Sequence, residues 1–462
     1  MRRRRSRSRS RPRHAPKSRP ATTLAEPEVR LLETDAIGSR IEEVLKHSPA
    51  DETEIVWLEV RRGSARRQGS RVDVRVTPER TVLVRVLDLG RVGSYRTGSA
   101  EVGELSDGVR FAMGQARVRE PLSGLPHLPS DLSPVAALDT LDPELAKMNS
   151  KRMRSWLLDL PANRENISVN WTHARVLVFN SRKVRRTAET TAIGFRVKTG
   201  RKPGAGRSVD ATRRFRALDP ESLIERAQSR HAQGPIEDLP AGPFPVLLSA
   251  AAVIELVDIL SQTSFSAISY YEGTSFLREH INIQVFDRRF HLKDDGTDPA
   301  GLPFPFDLEG TAKHPVDLIE KGAPKTPTLD QRQAAVLGLP PTAHAIGGNN
   351  ARAENLFLMP GTDSWEDLLS ACDGGVFIGW LDDLEIIEPR RVGFRARARG
   401  ARRIHNGQLG AAVPDFIWED SLLREFSALQ GIGADTARRL GDDGYLGGIS
   451  APAVAVGAVT PK

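Results

Sequence analysis

Histidine, cysteine and carboxylate spacing decides which metal and nucleophile chemistries a chain can host. The ten histidines stand apart: none is followed by Glu, and no two lie three, four or five residues from one another. A helical zinc site needs two imidazoles on one face, and that spacing is absent. His280 and His291 are close in sequence to Asp294 and Asp295, but a strand-like stretch separates the two rings. The single cysteine, Cys372, excludes an internal disulfide framework and any site built from several thiolates. With no histidine within about twenty residues to activate it, it reads as a small core residue. No G-x-x-x-x-G-K-[ST] phosphate loop and no G-x-S-x-G elbow occurs.

Three segments keep alternatives open. The string from Asp294-Asp295 through Phe304-Pro-Phe306-Asp307-Leu-Glu309-Gly310 is dense in acids, glycine and proline. Paired carboxylates of this kind suit acid–base or calcium work; the plain alternative is a structured loop. Leu429-Gln-Gly431-Ile432-Gly433 through Leu440, preceded by a helical run from Glu419, resembles a helix-hairpin-helix element whose backbone amides would face a phosphate. Between Arg390 and Arg403 arginines crowd together, yet Arg395, Arg397 and Arg399 alternate with Phe394, Ala396 and Ala398. That is either an anion-binding cluster or a half-buried strand with a solvated face.

The elements that must carry these residues are legible in part. Ile37, Ile41, Val44 and Leu45 have the spacing of a helix over 31–46, and 102–117 returns to it. Between them, Ile55/Trp57, Val72/Val74/Val76 and Val82/Val84/Val86 alternate as strands, with turns expected around Gly63, Pro78 and Gly90. The four prolines of 120–135 mark a connector; strands over 167–179 and 190–198 form a hairpin through Asn180-Ser181. Gly200 to Gly206 reads as a hairpin tip, Pro220 to Arg230 as a helix, and Pro235 to Pro245 as a linker. From Val246 on, the texture is strands and Gly/Pro turns, with its best helix starting at Asp363 under a capping box with Glu366. The fold class expected is α+β: an N-terminal α/β domain with an antiparallel sheet over 31–235, then a larger β-rich, barrel-like domain over 236–462.

The chain has 462 residues, 27% charged and 39% hydrophobic, enough for sizeable cores. Its net charge of +7 is local: ten Lys or Arg and no acid fall within the first twenty residues, and the remainder carries a slight acidic excess. A tail over 1–30 of this kind is expected to be disordered, and it would bind nucleic acid or another polyanion if it acts at all. The most apolar window, Val246 to Leu260, is interrupted by Glu255 and Asp258 and is too short to span a bilayer. No membrane partner is expected.

The order of motifs resembles the TldD/PmbA family. Gly273-Thr-Ser-Phe-Leu277, Asp294-Asp295-Gly-Thr, Phe304 to Gly310, Leu318-Ile-Glu-Lys-Gly322, Gly347-Gly-Asn349-Asn350 and Asn355 to Gly361 follow the family pattern collinearly. Val84 to Gly93 and Val176-Leu-Val-Phe-Asn180-Ser181 fit its N-terminal part. The resemblance implies a cytoplasmic two-subunit metallopeptidase in which one subunit carries H-E-x-x-x-H and a C-terminal zinc-binding Cys. Here the corresponding stretches read Asp258-Ile-Leu-Ser-Gln-Thr263 and Gly447-Gly448-Ile-Ser450. The chain is therefore similar to the PmbA (TldE) side, which binds no zinc itself and pairs with a TldD-like catalytic subunit around a peptide substrate. The resemblance makes Asp294, Asp295, Asp307, Glu309, Gly310, Asn349 and Asn350 loop residues near a shared cavity. It also weakens the DNA-hairpin reading of Leu429 to Asp435. The Arg390–Arg403 segment departs from the family, so nucleic-acid binding through it and the tail stands as the alternative, with Arg395, Arg397 and Arg399 as anion contacts.

Overall fold

Alternating valines and long unbroken β runs build the first sheet. The computed structural model describes residues 33–130, 133–162, 164–200, 203–348 and 350–460; the basic tail lies outside them. Strands β1 (Glu52–Gln68), β2 (Arg71–Asp88), β3 (Arg91–Thr97), β4 (Asn166–Asn180), β5 (Arg185–Thr199) and β6 (Gly206–Thr212) form an antiparallel sheet in the order β3-β2-β1-β4-β5-β6. The expected turns at Gly63 and Pro78 do not exist, and the chain reverses at Gly69-Ser70 and Leu89-Gly90 instead. Gly63 stays in strand because Trp171 of β4 lies over it, where any Cβ would collide with the indole. Pro78 is tolerated because β3 pairs only with Val82–Asp88, leaving that part of β2 on a free edge.

Strand parity then divides the sheet. On one face, Ile55, Trp57, Val82 and Val84 pack under α1 (Thr34–Lys46) and α2 (Val102–Arg117). Farther along the same face, Ala65, Trp171, Ile193 and Phe195 lie under α3 (Pro143–Ala146), α4 (Ser150–Asp159) and α5 (Pro220–Ser229). On the other face Val56, Leu58, Val60, Val176 and Val178 meet Phe304, Phe306, Leu308, Tyr445 and Leu446. Arg62, Ser64 and Arg66 continue that face of β1 beyond the apolar patch.

The remainder carries β7 (Phe244–Leu248), β8 (Leu292–Asp294), β9 (Val316–Glu320), β10 (Ala323–Pro324), β11 (Asn355–Leu358) and β12 (Val376–Ile378). These are followed by β13 (Trp380–Glu388), β14 (Gly393–Arg399), β15 (Arg402–His405), β16 (Gln408–Ala412), β17 (Phe416–Ser421), β18 (Leu429–Leu440) and β19 (Gly448–Val459). One sheet runs β10-β9-β8-β11-β19-β7-β12-β15-β16 with β18 joined to β19, and a small one runs β13-β14-β17. The α+β class holds, but the larger sheet is open rather than closed into a barrel.

Two expectations fail here for stated reasons. Ala250–Ser264 is a long helix, α6, in a region whose texture reads as strands and turns with few long helices; its side chains are buried nearly all round, which erases the helical period. Ser249 caps it, accepting from the Ala252 amide at 3.2 Å and donating to the Gly379 carbonyl at 2.6 Å. The later helix, Trp365–Ala371, starts one residue beyond expectation, with a Ser364/Asp367 capping box. Asp363 instead accepts from the Ile432 amide at 2.8 Å. Among the described residues no helix is long and apolar enough to cross a membrane.

Candidate functional site

The acid-rich string folds into turns that its own carboxylates hold. Asp294, at the end of β8, is fully buried and accepts from the amides of Glu354 and Asn355 at 2.6 and 2.8 Å, which joins β8 to β11. His344 Nε2 lies 3.2 Å from its other oxygen. Burial works against ionisation of Asp294, but His344, Lys313 and the Asn355 amide outweigh it and hold the carboxyl far below its usual range. His344 is itself driven toward the neutral form by burial and by Lys313. Asp295 accepts from the Thr297 amide at 2.9 Å and hydroxyl at 2.7 Å and meets Lys293 at 3.2 Å. Asp307 accepts from the amides of Glu309, Thr311 and Ala345. Gly310 has a left-handed φ of 81°, and a side chain there would run into Val184. Asn350 is exposed; its side chain accepts from the Ala351 amide and its carbonyl from the Ile346 amide, and Asn349 lies outside the described residues.

The structure brings Glu309 into a buried cluster whose other members the sequence reading missed. Arg85 of β2 donates to Glu309 at 2.7 Å and to Glu54 of β1, 2.9 Å from its nearer oxygen. Glu309 also accepts from the Gln331 amide at 3.0 Å, beside Asp330. One guanidinium thus serves two buried carboxylates with a third nearby. Burial, partly offset by Arg85 and reinforced by Glu309, pushes Glu54 up to about 7. Burial and the Glu309 charge push Asp307 to about 7 as well. The signal in sequence was the lone Arg85 and Glu54 in otherwise apolar β runs, since their parity and pairing are set only by sheet register.

The stretches that the resemblance sets against zinc-ligand motifs, Asp258–Thr263 and Gly447–Ser450, lie on α6 and at the start of β19. Asp258 is ion-paired to Arg439 of β18, which also meets Glu255 at 3.3 Å. Glu255 lies 3.6 Å from Arg207 of β6. The Thr263 hydroxyl donates to the Ile259 carbonyl at 2.7 Å within the helix. Ser450 is buried in β19, opposite Arg438. Among the described residues no group of three or more His, Cys, Asp and Glu side chains is placed to hold a metal ion. The groups here do not fit zinc: a carboxylate committed to arginine, a hydroxyl committed to backbone and a serine in a sheet offer neither imidazole nor thiolate to the ion.

Other candidates resolve into structure. Leu429–Leu440 is strand β18, so the helix-hairpin-helix expectation is overturned; Ile432 pairs with Val454, and the glycines admit Leu368 and Asp363 at close range. Phe394, Ala396 and Ala398 are buried, and the alternating arginines face acids across β13 and β17. Arg395 pairs with Glu419 and Glu385, Arg397 with Asp383, and Arg399 with Asp382 and Asp415. Cys372 is buried beneath the helix Trp365–Ala371, and burial pushes its thiol up to about 12, far from a reactive thiolate.

Residues 241–461 match the family model of the PmbA/TldA metallopeptidase C-terminal domain. No curated protein matches the chain by sequence. The fold is similar to that of TldE from Thermococcus kodakarensis, with TM-score 0.80 and 18% identity over 91% of this chain and 99% of that one. It is similar as well to a proposed modulator of a DNA gyrase from Thermotoga maritima, with TM-score 0.79 and 21% identity over 93% of this chain and 100% of that one. A further proposed modulator of DNA gyrase, from Bacteroides thetaiotaomicron, aligns with TM-score 0.74 and 14% identity over 92% and 97% of the two chains.

Proposed function

For this chain, a TldD/PmbA family member by its C-terminal domain and its fold, we propose the role of a non-catalytic subunit that pairs with a zinc-bearing, TldD-like partner to process peptides. The observation that carries this reading is the station on α6. Where a catalytic relative would place imidazoles on one helix face, Asp258 is neutralised by Arg439 and Thr263 is turned back onto the helix backbone. The ion-paired face is a structural joint between α6 and β18 and leaves no base or ligand for peptide hydrolysis. Zinc and the catalytic glutamate are then supplied by the partner, and the chain needs no cofactor of its own. The acidic loops around Asp294, Asp307 and Glu309 contribute rigidity to a shared enclosure, with no proton transfer assigned to them. A cytoplasmic location suits a chain with a single, buried thiol.

The alternative, nucleic-acid binding by Arg395, Arg397 and Arg399, is less favoured because acids already neutralise that strand face.

The test is a pull-down of the tagged chain from its own cell extract, with metal content and peptide hydrolysis measured before and after. A second family member with the histidine motif is expected to co-purify and bring both zinc and activity. Stoichiometric zinc and hydrolysis in the isolated chain would overturn the assignment. Recovery of the chain alone, with nucleic acid that high salt removes, would replace it with the alternative.

A further inference from the structure

The polar end of the first sheet is a built cleft that shares Arg207 and Arg439 with the α6 station, but whose floor neither that station nor the acidic loops use. On one face of β1 the side chains change from Val56, Leu58 and Val60, covered by Phe304 and Phe306, to Arg62 and Ser64. Sheet register places Arg75 of β2 and Asn170 of β4 on either side of Ser64, and Gly194 of β5 beside Asn170. The end of β18 closes the far side, with Leu440 seated against Gly194. The cleft is open on one side and holds about 570 Å³, within the range of small-molecule sites.

Its charge is one-sided. Six arginines line it, against two acids, Asp210 and Asp442. Arg438 is held by Asp210 at 2.9 Å, Arg62 by Glu79 at 3.1 Å, and Arg207 and Arg439 share Glu255. Arg75 and Arg196 are exposed and have no carboxylate partner among the described residues. The floor between them offers the hydroxyl of Ser64 and the amide of Asn170, both exposed.

We infer that this cleft binds an extended acidic peptide segment, with its carboxylates on Arg75 and Arg196 and its backbone over Ser64 and Asn170. The inference rests on the peptide-processing reading above and names a substrate feature for it. Guanidinium forks suit carboxylates, and a flat polar floor with donors and acceptors suits a peptide backbone. Single-stranded nucleic acid fits less well. It needs aromatic platforms for its bases, and the aromatics of this stretch, Trp171 and Phe195, point to the opposite face and are buried.

The experiment is fluorescence anisotropy on the full chain at about 150 mM salt. The probes are a labelled peptide with alternating Glu residues, the same peptide with Gln at those positions, and a labelled single-stranded oligonucleotide. The wild type is expected to bind the Glu peptide about tenfold more tightly than the Gln peptide. The double variant Arg75→Ala, Arg196→Ala should remove that preference while leaving the Gln peptide unchanged. Because both side chains are exposed, folding should be retained; Asn170→Asp, also at an exposed position, repeats the test by adding a like charge to the floor. Equal affinity for the two peptides overturns the inference. So does a preference that survives both variants, which would place the binding elsewhere on the chain, and so does loss of oligonucleotide binding alone. Partner co-purification is read separately: a chain that pairs with a zinc-bearing subunit yet ignores the carboxylates sinks the cleft and spares the subunit assignment.

Discussion

Glu54 is a carboxylate that folding leaves short of positive charge. Arg85 answers it and Glu309 together, so burial and the Glu309 charge hold its pKa well above that of a surface glutamate. With a folded pKa of about 7 against 4.5 unfolded, the folded chain binds the extra proton between those values. The associated stability is fully present below the unfolded value and is lost as pH rises through about 7. Glu54→Gln mimics the protonated form at every pH. Thermal melts should therefore show the variant gaining on the wild type from pH ~5 to pH ~8, by on the order of 3 kcal/mol at most. A difference that stays constant across that range would mean that Glu54 is ionised throughout. At this scale the sequence exposed the acids of 294–310 as a group, because they are neighbours along the chain. Arg85, Glu54 and His344 could not be joined to them, since their meeting depends on strands and a loop more than thirty residues away.

Elements were legible where one face is buried and one is wet. α1, α2 and α5, and the β4–β5 hairpin through Asn180, follow directly from period and turn chemistry. They were illegible where burial is uniform, as in α6, or where a glycine-rich string mimics a turn, as in β18. Gly63 belongs to the same class: a turn residue by type, it is held in β1 because the Trp171 indole occupies the space of a side chain. Gly63→Ala should force that buried ring off its rotamer and lower stability by about 2–3 kcal/mol in urea titrations. Gly69→Ala is the control for glycine loss without a collision, since nothing lies near its Cβ; its φ of 60° still adds backbone strain. Equal effects of the two substitutions would remove the packing explanation.

Across the whole molecule, the first sheet is bonded to the remainder by buried arginines that reach across chain distance. Arg213, just after β6, donates to the carbonyls of Leu302 and Pro303 at 2.8 and 2.9 Å with no carboxylate beside it, and burial pulls it down to about 9. Arg213→Ala leaves those two buried carbonyls without their donor and should lower the unfolding free energy by about 2–4 kcal/mol. Arg216→Ala, which removes only an exposed pair with Glu144, should change it by less than about 1 kcal/mol. Similar effects of both would show that the Arg213 contacts contribute little to holding the two parts together.

The sequence by itself determined the α+β class, the alternating strands and amphipathic helices, the absence of zinc-ligand spacing and the collinear motifs of a family. All of these are local or additive properties, written in neighbouring residues. Tertiary structure decided the rest: that Asp258 is spent on Arg439, that Glu54 is pushed toward its protonated form, that the Arg395–Arg399 face is neutralised while Arg75 and Arg196 are not. Each depends on which charges register brings within a few ångströms in a poorly screening interior, and Coulomb energy at that range is set by distance in space rather than along the chain.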